Sequence, residues 1–193
     1  MIGWWNLRRQ TNPTPPTQIG IFYGSSTCYT EIAAERIQEL LSHRATLHNI
    51  AHTALHRCAA YRTLLFGIPT WDYGELQEDW DSRWDELDAL ELTATDCAIF
   101  GLGDQHGYPL WFQDAMGYLH HRLAAQGAKL GGYWPNQGYK FQASKALTAD
   151  GKQFLGLPLD YENQAELSDQ RLRKWLTQLG LLEGAKANTG GAP

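Results

Sequence analysis

Three hydroxyl side chains, Ser25, Ser26 and Thr27, stand between the apolar run IGIFY (19–23) and the run YTEIAAERIQELL (29–41), and a fourth, Thr30, is the second residue of that run. A hydroxyl-rich turn that enters a helix offers O–H donors, free main-chain N–H groups and the positive end of the helix dipole. Together these can hold a phosphate without a cation. The same Ser and Thr residues serve equally as plain helix caps. The Walker pattern needs a second glycine and a lysine that GSSTCYTE (24–31) lacks, which argues against a nucleoside triphosphatase. Cys28 invites comparison with a phosphatase nucleophile, but the sixth residue after it is Ala34 where such a loop requires arginine. A bound phosphate would also oppose thiolate formation there.

Two further segments carry chemistry. PTWDYGE (69–75) presents Trp71 and GLGDQHGYP (101–109) presents Tyr108. Each aromatic is either core packing or one wall of a site for a planar ring, where a stacked pair contributes about 0.5–1.5 kcal/mol beyond area burial. Asp104 is either a turn residue or an acceptor for a ring N–H. His52 and His56 have helical spacing and His120 and His121 are adjacent, yet no carboxylate or cysteine completes a ligand set, so no metal is expected.

These segments fall between regular elements. From Ile19 onward the pattern predicts strand IGIFY, helix YTEIAAERIQELL, strand ATLHNI, short helix HTALHRCA and strand RTLLFGIP. It continues with helix ELQEDWDSRWDEL, strand TDCAIFGLG, helix PLWFQDAMGYLHHRLAAQG, strand AKLGGYW, a polar excursion over 135–152, the run QFLGLPL and helix LSDQRLRKWLTQLG. Strict alternation implies an α/β fold with a parallel sheet covered on both faces. Five strands in this rhythm fit the doubly wound order 2-1-3-4-5, whose ligand crevice opens at the carboxyl ends of strands 1 and 3. The three chemistry-bearing segments follow strands 1, 3 and 4.

The 193 residues suit one domain at 19–180, with an N-terminal extension at 1–18 and a tail at 181–193. Three widely spaced cysteines without a C-x-x-C pair point to a reducing compartment, and hence to the cytoplasm. The N-terminus lacks the uninterrupted apolar segment of a secretory signal, and no run approaches a membrane span. A net charge of −5 argues against general nucleic-acid binding. The acid is concentrated: nine carboxylates lie between Asp72 and Glu91 against one base, Arg83, so that stretch carries −8 and the remainder +3.

YGSSTCYTE, GIPTWDYGELQEDW, FGLGDQHGYPLWFQDAMG, GYWPNQGYKFQASKAL and FLGLPLDYENQAELSDQRLRKW closely resemble the long-chain flavodoxins, and the first segment is similar to the flavodoxin B subgroup. The resemblance runs from about Ile19 to Leu179. It implies a flavodoxin-like sheet with an insertion that splits the last strand, FMN as cofactor, and low-potential one-electron carriage rather than catalysis. By position, Ser25, Ser26, Thr27, Cys28, Tyr29 and Thr30 would hold the phosphate. Pro69, Thr70, Trp71, Asp72, Tyr73 and Gly74 would line one isoalloxazine face, Tyr108 the other, and Leu102, Gly103, Asp104 and Gln105 the pyrimidine edge. Cys28 occupies the glycine position of the family's [ST]-x-T-G-x-T loop, where a β-carbon disfavours positive φ, so weaker binding is expected.

The implied partners are an NADP-dependent flavodoxin/ferredoxin reductase and redox acceptor proteins, met by a monomer through an acidic face of Asp72, Glu75, Glu78, Asp79 and Asp81. One unit charge about 10 Å from the flavin, at an effective dielectric near 20, shifts a one-electron potential by roughly 70 mV. Two other functions fit the same residues: an FMN-dependent quinone reductase, which needs a substrate cavity, and an interaction module that has lost FMN through the change at Cys28.

Overall fold

The computed structural model describes residues 19–183. The 1–18 extension and residues 184–193 of the tail lie outside them. Strands β1 (Ile19–Tyr23), β2 (Ala45–Asn49), β3 (Thr63–Trp71) and β5 (Asp96–Leu102) form a parallel sheet, and a short β4 (Glu75–Leu76) turns back on β3. The fifth position is shared. Strand β6 (Lys129–Gly131) pairs with Asp96–Ala98, while β9 (Leu157–Leu159) pairs with Phe100–Leu102. Counting that shared position as one gives the predicted order 2-1-3-4-5. Between the halves the chain leaves the sheet, closed at its base by β7 (Trp134–Pro135) and β8 (Gln153–Phe154). The excursion is anchored by aromatic packing of Phe141 and Phe154 on Phe112, with ring centroids 5.2 and 5.9 Å apart.

Successive strand residues point to opposite faces, which gives the sheet two cores. Phe22, Phe66 and Ile99 share one rung and pack toward α3 (Asp114–Ala125) with Trp80, Met116 and Leu119. Ile21, Leu65 and Ala98 share the preceding rung and pack toward α1 (Tyr29–Leu40) and α4 (Ala165–Gln178) with Ile37, Leu172 and Trp175. Leu181 and Leu182 pack on this second core, so ordered packing continues past Gly180.

Several elements are shorter than their patterns suggest. The expected helix over 75–87 is divided: Glu75–Leu76 is strand, α2 covers only Glu78–Ser82, and Trp84–Ala89 is 3-10. The Gln77 side chain accepts from the Trp80 amide at 3.4 Å and starts α2 there. The helix expected from Pro109 begins at Asp114, because Gln113 is left-handed (φ 67°) and its buried amide donates to Leu159 O at 3.0 Å. The strand AKLGGYW ends at Gly131, since Gly132 (φ 78°) directs the chain out of the sheet. The short helix expected over HTALHRCA (52–59) is a 3-10 helix displaced to Leu55–Ala60.

Candidate functional site

In register, Tyr23 lies beside Gly67, Pro69 beside Leu102, and Leu102 beside Leu159. The loops after β1, β3, β5 and β9 therefore converge at one edge of the sheet. Gly24 opens the first loop, where a β-carbon would lie 2.4 Å from Gln77 Oε1 and 2.8 Å from Trp80 Cδ1. That close approach requires glycine. Beneath it the Trp80 indole N–H donates to Gly67 O at 3.0 Å, and Gln77 Nε2 donates to Ser26 Oγ at 3.0 Å. The expected obstruction at Cys28 does not arise: it takes the left-handed conformation itself (φ 68°, ψ −14°) and enters α1, with its carbonyl accepting from Ile32 N at 2.8 Å. Holding a β-carbon there costs about 1–2 kcal/mol.

Among the described residues, the amides of Tyr29, Thr30 and Glu31 at the start of α1 find no main-chain acceptor. Ser25 Oγ is enclosed and has no hydrogen-bond partner. Buried hydroxyls are normally paired, so this group is free to serve a ligand oxygen.

The second loop is a tight turn in which Gly74 N donates to Trp71 O at 3.0 Å, with Asp72 (φ 41°) and Gly74 (φ 90°) both left-handed. Thr70 Oγ1 accepts from Ala115 N at 3.2 Å, which ties the loop to the first turn of α3. Tyr73 at the tip is 70% exposed and stands edge-on to Trp111 at 5.1 Å.

In the third loop Asp104 Oδ1 accepts from Gly107 N (2.8 Å), Asn163 Nδ2 (2.7 Å) and His106 N (2.9 Å). Burial pushes the Asp104 carboxyl upward, but these donors outweigh it and hold the group below the usual carboxylate range. Asp104 is thus a turn residue that also lines the cleft. Gln105 points inward, almost fully buried: Nε2 donates to Asp160 Oδ2 at 2.7 Å and Oε1 accepts from Lys140 N at 2.5 Å.

The cleft enclosed by these loops measures about 200 Å³. It brings together Thr27, Tyr29, Thr30, Pro69, Thr70, Trp71, Asp72, Leu102, Gly103, Asp104 and Tyr108. Ser25, Ser26, Cys28, Tyr73, Gly74 and Gln105 do not line it. Tyr73 and Gly74 instead border a larger groove of about 790 Å³ with Trp84, Tyr118 and Arg122, away from the hydroxyl turn. Tyr161 and Glu162 line the cleft without having been singled out, Tyr161 stacked on Tyr29 at 5.4 Å and 18°. They follow the run QFLGLPL as the other segments follow strands 1, 3 and 4, but that run carries only a weak strand signal.

Asp72, Glu75, Glu78 and Asp81 are exposed and Asp79 half-buried. Among the described residues none of the five forms an ion pair, whereas Asp85 and Asp88 meet Arg122 and Glu86 meets Arg83. The described residues hold no group of three or more His, Cys, Asp or Glu that could bind a metal, and no helix long and apolar enough to cross a membrane.

Among the described residues, an enclosed hydroxyl without a protein partner and open helix amides lie at the sheet edge where Trp71 and Tyr108 line the cleft, an arrangement suited to an anion joined to a planar ring. The chain matches the flavodoxin family profile over residues 21–175. It is 51% identical over 162 residues to Flavodoxin 2 of Salmonella typhi, covering 83% of this chain and 94% of that protein. It is 43% identical over 163 residues to a flavodoxin of Nostoc sp. PCC 7120, covering 84% and 95%. Among solved structures, Fusobacterium nucleatum flavodoxin bound to flavin mononucleotide superposes with a TM-score of 0.80 at 26% identity, over 84% of this chain and 96% of that one. The chain belongs to the flavodoxin family. Flavodoxins are electron-transfer proteins that serve redox partners and turn over no substrate of their own.

Proposed function

We propose that this chain carries single electrons at low potential on FMN held non-covalently in the switch-point cleft. The observation that carries this reading is the enclosed, unpartnered Ser25 hydroxyl beside the free amides that begin α1. Ser25, Ser26, Thr27 and Thr30, with the main chain of Cys28 and Tyr29, bind the phosphate through hydroxyl and amide donors. Trp71 and Tyr108 flank the ring, with Pro69, Thr70, Asp72, Tyr73 and Gly74 shaping the Trp71 wall. Leu102, Gly103 and Asp104 meet its pyrimidine edge, and Gln105 supports that edge from beneath. Bound FMN supplies reversible one-electron chemistry.

The residues around it set the energy of that chemistry. Among the described residues the cleft lining carries no Lys or Arg, and Asp72, Asp104 and Glu162 stand on it as acids. Their field opposes added negative charge and lowers the reduction potential. The carboxylates Asp72, Glu75, Glu78, Asp79 and Asp81, which form no ion pair among the described residues, steer a basic partner toward this end of the sheet, where Tyr108 is exposed at the cleft. An NADP-dependent flavodoxin/ferredoxin reductase has the matching chemistry. Work as a monomer in the cytoplasm accords with three free thiols and brief, charge-steered contacts.

The test is reductase-driven reduction of the FMN-loaded protein by NADPH across a range of ionic strength. The rate constant falls as salt rises, and falls further in Glu75→Gln/Asp81→Asn. A rate indifferent to salt and to both substitutions contradicts the acidic-face assignment.

A further inference from the structure

Asp160 is fully buried at the end of β9, and among the described residues no cationic side chain pairs with it. Only neutral N–H groups satisfy it. Oδ2 accepts from Gln105 N at 3.1 Å and Gln105 Nε2 at 2.7 Å, Oδ1 accepts from Asn163 N at 3.0 Å, and Asn163 Nδ2 lies 3.0 Å from each oxygen. Burying a carboxylate without an ion-pair partner is costly, and these N–H donors offset part of that cost. The carboxylate also ties two loops together, because every bond it accepts comes from one of the two loops that contribute Asp104 and Glu162 to the cleft.

The network continues in both directions. Asn163 Nδ2 also donates to Asp104 Oδ1 at 2.7 Å, reaching the wall of the cleft. Gln105 Oε1 accepts from Lys140 N at 2.5 Å, reaching the insertion. The insertion is fixed independently, since Tyr139 O–H donates to Pro158 O at 2.9 Å and Gln164 Nε2 donates to Gly138 O at 2.8 Å.

We propose that Asp160 and Gln105 are positioning residues that lock the Gly103–Asp104 edge of the cleft to the insertion, so that flavin affinity is set in part from outside the cleft. The proposal rests on the FMN reading above. Gln105→Ala removes the donor to Asp160 and the acceptor for Lys140 N. Asp160→Asn replaces one oxygen by an amide that must face the donors of Gln105 and Asn163.

The experiment titrates the ligand-free full chain and each variant with FMN and with riboflavin, following quenching of flavin fluorescence, and records thermal unfolding without flavin. With the lock removed, the binding-competent edge is populated only fractionally, and affinity falls by that fraction, about 10- to 100-fold. Both flavins lose affinity by the same factor in both variants, because the pyrimidine edge is common to them and the phosphate loop is untouched. The double variant loses little more than the worse single variant, as expected of one network. Unchanged dissociation constants with a lower melting temperature overturn the proposal, as does a loss confined to FMN. If Asp160→Asn does not fold, Gln105→Ala alone decides between these results. Failure of the unaltered chain to bind either flavin is a separate result that overturns the cofactor reading and this inference with it.

Discussion

Ser25→Ala separates the two states of the cleft, because it acts on them with opposite sign. Ser25 Oγ is enclosed with no protein partner among the described residues, and leaving a buried hydroxyl unsatisfied costs about 1–3 kcal/mol. Alanine removes the polar atom and keeps the β-carbon, so the ligand-free protein gains about 1 kcal/mol and melts about 2–4 °C higher. With FMN bound the same hydroxyl donates to a phosphate oxygen, a charge-assisted bond contributing about 1.5–3 kcal/mol, so FMN affinity falls about 10- to 150-fold. Riboflavin, which has no phosphate, binds both proteins alike. Calorimetric melting of the ligand-free proteins and fluorescence titration with both flavins measure all three effects. A lower melting temperature in the variant, or an unchanged FMN dissociation constant, refutes the assignment of Ser25 to the phosphate.

Cys28→Gly removes a β-carbon from a left-handed position where the side chain is exposed and makes no capping bond, so melting rises by about 2–4 °C; a lower melting temperature shows that the loop does not depend on that strain. His120 is buried, which pushes it down to about 4, aided by the neighbouring His121, so the folded protein holds it neutral. The unfolded chain binds this proton near pH 6.5 while the folded chain resists it, so stability is present above pH 6.5 and is lost as pH falls toward 4. Replacement by Leu reduces that loss, on the order of 2 kcal/mol, in urea titrations at pH 7 and pH 4.5; an identical pH slope in the variant contradicts it.

Apolar runs bounded by turn residues made the central sheet legible in the sequence. IGIFY, RTLLFGIP and TDCAIFGLG become β1, β3 and β5, and their carboxyl ends carry the cleft. What pattern could not supply was set by single contacts. Two residues of β4 have no periodicity, and only their pairing with Thr70 and Trp71 makes them strand. Gln113 reads as helix, but its amide is needed by Leu159 O, and that moves the start of α3. In the site, residue type identified the hydroxyl turn and the Trp71 and Tyr108 walls, whereas the direction of Gln105 depended on Asp160, 55 residues away. Tyr161 and Glu162 were obscured because β9 is three residues long with Pro158 at its centre, a weak strand signal whose missing amide is tolerated where β9 ends the sheet.

The central claim is that hydroxyls and helix amides after β1 grip a phosphate whose ring lies between Trp71 and Tyr108. Titration of the purified ligand-free chain with FMN measures it most directly. The account predicts one-to-one binding with quenched flavin fluorescence, and a yellow holoprotein that takes up two electrons from dithionite in two resolved steps. A colourless protein whose addition leaves FMN fluorescence unchanged contradicts it.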